Sequence, residues 1–276
     1  MTADSGSAGS RSPGASAPSS LELTKPGHLT LCIDPSNKPQ AFLDPAGHLV
    51  GSDIELGQGI ADKMHLALTV QKLSVAATVP AVVAGQCDLA ISGMPITKVH
   101  EQQVLMIPYL RAGQAFVVVA GNPQKIADLS GLCGKAVSVV RGSAEADHLN
   151  PSGGSAYRVE EGLSAQCKAA NRDAIVSVQV GTDDEALARL ANHSVTAQFT
   201  REASAGYEIL QGKGKFQMIE SMTVERAEEG ICVSKMHPGL HDAVETALDS
   251  LIADGSYAEI LDRWGLRSDE ITGTFH

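Results

Sequence analysis

The stretch LTLCIDPS at residues 29–36 decides how the chain is read, together with DIELGQGIADKM at 53–64, LTVQKL at 68–73 and DLAISG at 88–93. Leu29, Leu31, Cys32 and Ile33 make a short apolar run that stops at Asp34-Pro35-Ser36. A strand followed by a turn has that form. In residues 53–64, Leu56, Ile60 and Met64 recur every fourth position, with Asp53 and Glu55 in the first turn. That is a helix with one apolar face, and its acids complement the positive end of the helix dipole. Residues 68–73 give a second strand. Val79, Val82 and Val83 lie on a short helix closed by Gly85, and residues 88–93 give a third strand. Strand–helix–strand units with connections this short predict parallel strands and right-handed crossovers.

Outward from there the theme repeats. Strands are expected at 115–120, 136–140, 176–180, 195–199 and 230–234. Helices are expected from Ala144-Glu145, after Arg141-Gly142-Ser143, and over 185–191. Leu240, Val244, Leu248, Leu251 and Ile252 keep helical spacing up to Gly255, and a last short helix carries Tyr257, Ile260, Leu261 and Trp264. The reading is two α/β lobes, the final segment returning to the first.

Composition removes several classes of function. The chain of 276 residues carries a net charge of -11, against the basic stripe a nucleic-acid binder needs. No apolar run approaches the roughly 18 residues of a membrane span. Hydrophobic residues are 43% of the chain, enough for real cores, whereas aromatics are 4%. Residues 1–21 are rich in Ser, Gly, Ala and Pro and read as a flexible tether without the apolar segment of an intact signal peptide. Five cysteines, Cys32, Cys87, Cys133, Cys167 and Cys232, include no CxxC pair, so a structural zinc site has little support. Cys133 and Cys167 flank a polar stretch where a disulfide forms if the protein is exported; five buried thiols are the other reading. His237 and His241 are four apart, but Pro238 and Gly239 lie between them and no third ligand is evident, so no metal and no cofactor are expected.

Five strings in order carry a resemblance: LTLCIDPSNKPQAF (29–42), LVGSDIELGQGIADKM (49–64), GQCDLAISGMPIT (85–97), KAVSVVRGSAEA (135–146) and LIADGSYAEILDRWG (251–265). The chain resembles the extracytoplasmic solute-binding proteins of polar amino-acid ABC transporters, family 3. The resemblance implies an α/β, two-lobe periplasmic-binding-protein-like fold of type II, with mixed sheets, flanking helices and a two-strand hinge near 117–121 and 227–232. Lobe 1 would be 22–117 plus 231–276, and lobe 2 would be 118–230. It implies a monomer outside the cytoplasm, free or lipid-anchored, that closes on a small-molecule solute and delivers it to a membrane permease. By analogy it also favours the Cys133–Cys167 disulfide.

The resemblance places Asn37, Gln40, Asp53, Ser92, Gly93, Met94, Thr97, His100, Arg141, Ser143, Ala144, Arg201 and Glu202 at the ligand cleft. Four of these depart from the family. His100 stands where relatives carry an Arg that forks onto the solute's α-carboxylate. Arg201 stands where an Asp receives the ammonium, with Glu202 next to it. Asn37 and Gln40 replace the aromatic walls. Together they predict a polar, anionic or hydroxyl-rich solute rather than a standard amino acid. Two alternatives stay open: a one-residue slip that makes Glu202 the amine acceptor, and Arg201 pairing with Glu202 or Glu145. Asp53 reads as a helix-start acid or as a ligand contact. A few relatives of this fold are dehydratases with a carboxyl acid in the cleft, for which Glu145 or Glu202 would serve. A binder without catalysis is the expected function.

Overall fold

A computed structural model describes residues 21–151 and 161–271. The strands are β1 (His28–Ile33), β2 (Ser36–Asn37), β3 (Ala41–Leu43), β4 (Leu49–Val50), β5 (Ala67–Lys72), β6 (Leu89–Ala90), β7 (Val104–Val119), β8 (Ala136–Val140), β9 (Val176–Val180), β10 (Ala197–Arg201), β11 (Phe216–Met218) and β12 (Val224–Ser234). The helices are α1 (Ser52–Lys63), α2 (Val75–Val83), α3 (Lys98–Gln103), α4 (Ala144–Leu149), α5 (Leu163–Ala169), α6 (Asp183–Ala191), α7 (Glu202–Gly212), α8 (Pro238–Ala253) and α9 (Ser256–Trp264). Residues 1–20, nearly all of the expected tether, lie outside the described residues; Leu21 packs against the first core.

The main sheet runs β5-β1-β6-β12-β7-β10-β8-β9, with β11 also on β7, and β2-β3-β4 form a separate small sheet. The pairs predicted to be parallel are so: β1 with β5 and β6, and β8 with β9 and β10. The mixed character comes from β7 and β12, which pair antiparallel from Val104–Ser234 to Gln114–Val224 with two register shifts. These two strands are much longer than the apolar runs at 115–120 and 230–234. Arg111, Gln114, Glu228 and Glu229 interrupt their hydrophobic pattern, so only the apolar ends announce themselves in the sequence.

β7 and β12 tie two sets of cores together. The first core gathers Leu29, Leu31 and Ile33 of β1, Leu56 and Ile60 of α1, Ile107 and Leu110 of β7, and Leu240, Val244, Leu248 and Tyr257 of the last two helices. Helix α1 comes close because Gly57 leaves room for Leu31: a Cβ there would stand 2.7 Å from the Leu31 side chain. The second core contains Phe116 and Val118 of β7, Val137 and Val139 of β8 and Phe199 of β10, with the Phe116 and Phe199 rings stacked at 4.2 Å. Helix α7 belongs to both sides: Ala203 joins the first core, and Ala205 packs with Ala115 and Val117. Cys133 is disulfide-bonded to Cys167 beside the second core, and Cys32 to Cys87 in the first lobe. Cys232 is free and buried, which pushes its thiol up to about 12.

Candidate functional site

Two walls face each other where β1 and β10 end. On the first, Gly93 has a φ of 57°, and a Cβ there would meet the amide nitrogens of Asn37 and Gln40 at 2.5 and 2.9 Å. The backbone conformation favours glycine, and a side chain there would have to displace the paired amides of Asn37 and Gln40. Over it runs a chain of hydrogen bonds. Asn37 Nδ2 donates to Gln40 Oε1 at 2.9 Å, and Gln40 Nε2 donates to Glu229 Oε2 at 2.5 Å and to the Tyr109 hydroxyl at 3.4 Å. Tyr109 accepts from the Gly93 N–H at 3.1 Å and donates to Asp53 Oδ1 at 3.0 Å. Asp53 is fully buried in the first turn of α1, and its Oδ2 has no hydrogen-bond partner.

Charge in that enclosure is costly. Burial, and then the neighbouring Glu229, push the Asp53 carboxyl up to about 8. Burial pushes Glu229 up to about 7, against the Gln40 amide and the charge of Arg201.

The second wall begins at Arg201. Its guanidinium donates to Asn37 Oδ1, to the Lys38 carbonyl at 2.9 Å and to Ser204 Oγ at 3.0 Å, so it spans the gap. Glu145, buried at the start of α4, is raised by burial and partly relieved by Arg201. Asp183 accepts from Thr200 Oγ1 at 2.9 Å. Glu208 accepts from Gln198 Nε2 at 3.1 Å, while its Oε2 and Gln198 Oε1 stay unpartnered; burial and then Asp183 push its carboxyl up to about 8. Lys38 lies 3.5 Å from Asp184, above the rings of Phe42 and Tyr207.

Asn37, Gln40, Asp53, Gly93 and Arg201 thus converge. The other expected cleft residues serve local structure. Ser92 Oγ accepts from the Asp34 N–H, Met94 packs against Cys232, and Thr97 caps α3 by accepting from the His100 N–H. The His100 ring donates from Nδ1 to the Pro95 carbonyl at 2.8 Å. Arg141 is exposed, and Ser143 caps α4 just ahead of Ala144. Glu202 is taken up by a bidentate pairing with Arg226 and by the Gly113 N–H at 3.0 Å. His237 and His241 each pair with a carboxylate of their own, Glu22 and Asp242. Sequence reasoning missed Tyr109, Glu229, Lys38 and Glu208. The only signal for Glu229 was its place in the expected hinge segment; Tyr109 sits in an ordinary apolar run.

The elevated carboxyls fix the sign of a stability–pH relation. Asp53, Glu208 and Glu229 hold protons in the fold that they release near pH 4 when unfolded. Their contribution is therefore intact below about pH 4 and is lost as pH rises through 7 to 8. The thermal midpoint should fall by several degrees between pH 5 and pH 8 without solute. A midpoint that rises across that range would contradict this burial of protonated carboxyls.

The sequence profile of the bacterial extracellular solute-binding proteins, family 3, matches residues 29–267. The arginine-binding protein ArgT of Corynebacterium glutamicum is 25% identical over 245 residues, covering 88% of this chain and 76% of that protein. The histidine-binding periplasmic protein of Escherichia coli K12 is 24% identical over 245 residues, covering 87% and 88%. A solved ancestral arginine-binding protein bound to arginine is 29% identical over 86% of this chain and 98% of its own, with a TM-score of 0.58. These relatives are binding proteins, and no described helix is long and apolar enough to cross a membrane. With the type II fold and the profile match over nearly the whole described chain, the protein belongs to the bacterial extracellular solute-binding proteins, family 3, the solute-capturing components of ABC importers.

Proposed function

We propose that the protein captures a cationic polar solute, a basic amino acid or an amine- or guanidine-bearing derivative, and presents it to its permease. The observation that carries this is the charge of the cleft. The carboxyls of Asp53, Glu229, Glu145, Asp183 and Glu208 surround a site whose basic groups are Arg201 and Lys38. Lys38 already faces Asp184, and Arg201 already has three acceptors. An anion would meet a surplus of acids, whereas a cation lets them ionise in compensated form. The anionic solute expected from His100 and Arg201 is therefore not the reading favoured here. The amides of Asn37 and Gln40 still suit a polar partner, and the relatives named for arginine and histidine point the same way.

Calorimetry with arginine, lysine, histidine, a dicarboxylate and a sugar acid tests the reading. Basic solutes should bind and the acids should not, and Glu229→Gln should weaken the basic solute at least about tenfold, some 1.4 kcal/mol, with the fold intact. Micromolar binding of the dicarboxylate or sugar acid, with no response to the amino acids, would sink it.

A further inference from the structure

Arg201 sits between the two walls, its charge acting on the carboxyls of Glu229 and Glu145. It is the last residue of β10, and its backbone leads straight into α7, so its direction is set by two elements of the second lobe. Its guanidinium nevertheless reaches residues 163 and 164 positions away, the Lys38 carbonyl and Asn37 Oδ1 on the first lobe, and shares Ser204 Oγ on its own side. Ser204 Oγ in turn donates to the same Lys38 carbonyl at 3.3 Å. These acceptors match the fork of a guanidinium, which has five donors and accepts nothing. Arg201 also moderates the carboxyls of Glu229 on one wall and Glu145 on the other. A bound cationic solute would do the same two things, compensating these carboxyls and joining the walls.

We propose that Arg201 is a built-in competitor, a tethered guanidinium that a cationic solute must displace to bind. The inference rests on the cationic-solute reading above. Because the competitor is part of the chain, it sets affinity without setting charge preference. A protein with the latch engaged nine-tenths of the time binds about tenfold more weakly than one in which it is free, since apparent affinity scales with the competent fraction. The latch also joins the lobes before solute arrives, so the empty protein is more compact than a relative without it.

The test compares wild type, Arg201→Ala and Arg201→Gln, the second keeping side-chain length and an amide donor in case the first fails to fold. Calorimetry with L-arginine and L-lysine is paired with small-angle scattering of the empty proteins. Both variants should bind the basic solute about tenfold or more tightly than wild type, and empty Arg201→Ala should scatter as a more open particle. Wild-type binding that stays equal or weakens in the folded variants overturns the competitor and makes Arg201 a helper of the solute. If neither basic solute binds wild type or either variant, the cationic-solute reading fails and the competitor with it.

Discussion

Gly206→Leu should reduce solute affinity by about tenfold while both lobes remain folded. Gly206 in the middle of α7 rests directly on Gly265, which ends α9. A Cβ at 206 would stand 2.1 Å from the Gly265 carbonyl oxygen, and a Cβ at 265 would stand 2.6 Å from the Gly206 oxygen. Both obstacles are backbone, so no rotamer change relieves them; the helices must move apart. The requirement at 206 is one of distance, since its helical conformation suits any residue. Gly265 adds a φ of 72° to the crowding.

The contact closes the molecule from one side. Next to it, Tyr207 of α7 stacks with Trp264 at 6.0 Å and meets Phe42 edge-on at 6.0 Å. Arg201, one residue before α7, makes the bridge to Asn37 and Lys38. A bulky side chain at 206 lifts α7 from α9, parts the three aromatics and withdraws the second wall from the first. The helix keeps its place on its own sheet, where Ala205 packs with Ala115 and Val117. Overpacking strain of about 3 kcal/mol on the solute-bound state corresponds to roughly a hundredfold in affinity; the same strain also opens the Arg201 bridge of the empty protein, which returns about tenfold, so a net loss of about tenfold remains. Calorimetry measures the loss, scattering shows whether the particle fails to compact with solute, and far-ultraviolet dichroism checks the fold. Wild-type affinity with normal compaction would mean that α7 and α9 do not touch in the bound state.

How far such a site can be read from sequence depends on what each residue's neighbours are. The fold was legible because strands such as 29–33 and 136–140 are apolar but for Thr30 and Ser138, and α1 repeats Leu56, Ile60 and Met64; local pattern and burial agree there. The cleft was half legible. Asn37, Gln40 and Arg201 stood out as departures from a known pattern, and they do converge. Their meaning did not follow, because charge in a cleft is a sum over residues far apart in sequence. Gln40 acquires its role from Glu229, 189 positions away, and Asp53 from Tyr109, 56 away. Arg201 read alone asks for an anion; Arg201 with Glu229 and Glu145 beside it does not. Glu202 shows the same limit, since its carboxylate is consumed by Arg226 at a bend that no local pattern announces.

Replacing Cys133 and Cys167 together by Ala should lower stability by about 4 kcal/mol, an amount set by the chain they enclose. The pair is 34 positions apart, and closing a loop of that length removes much of the unfolded chain's freedom. Cys167 is buried beside Leu132, Leu149 and Ile175, so the bridge also pins α5 to the turn that precedes β8. Against the roughly 5–15 kcal/mol that holds a typical domain together, this is a large share. The loss should fall on the second lobe, which Cys32–Cys87 in the first lobe does not touch. Urea unfolding of the oxidised protein and the double variant should therefore differ chiefly in a transition of the second lobe, followed by exchange protection at Val137, Val139 and Phe199. Those residues support β8 and β10, and β10 carries Arg201. Solute binding should persist in the variant at low temperature and fail on warming before the first lobe melts. A loss below about 1 kcal/mol would show that the unfolded second lobe is already compact enough for the bridge to restrict little.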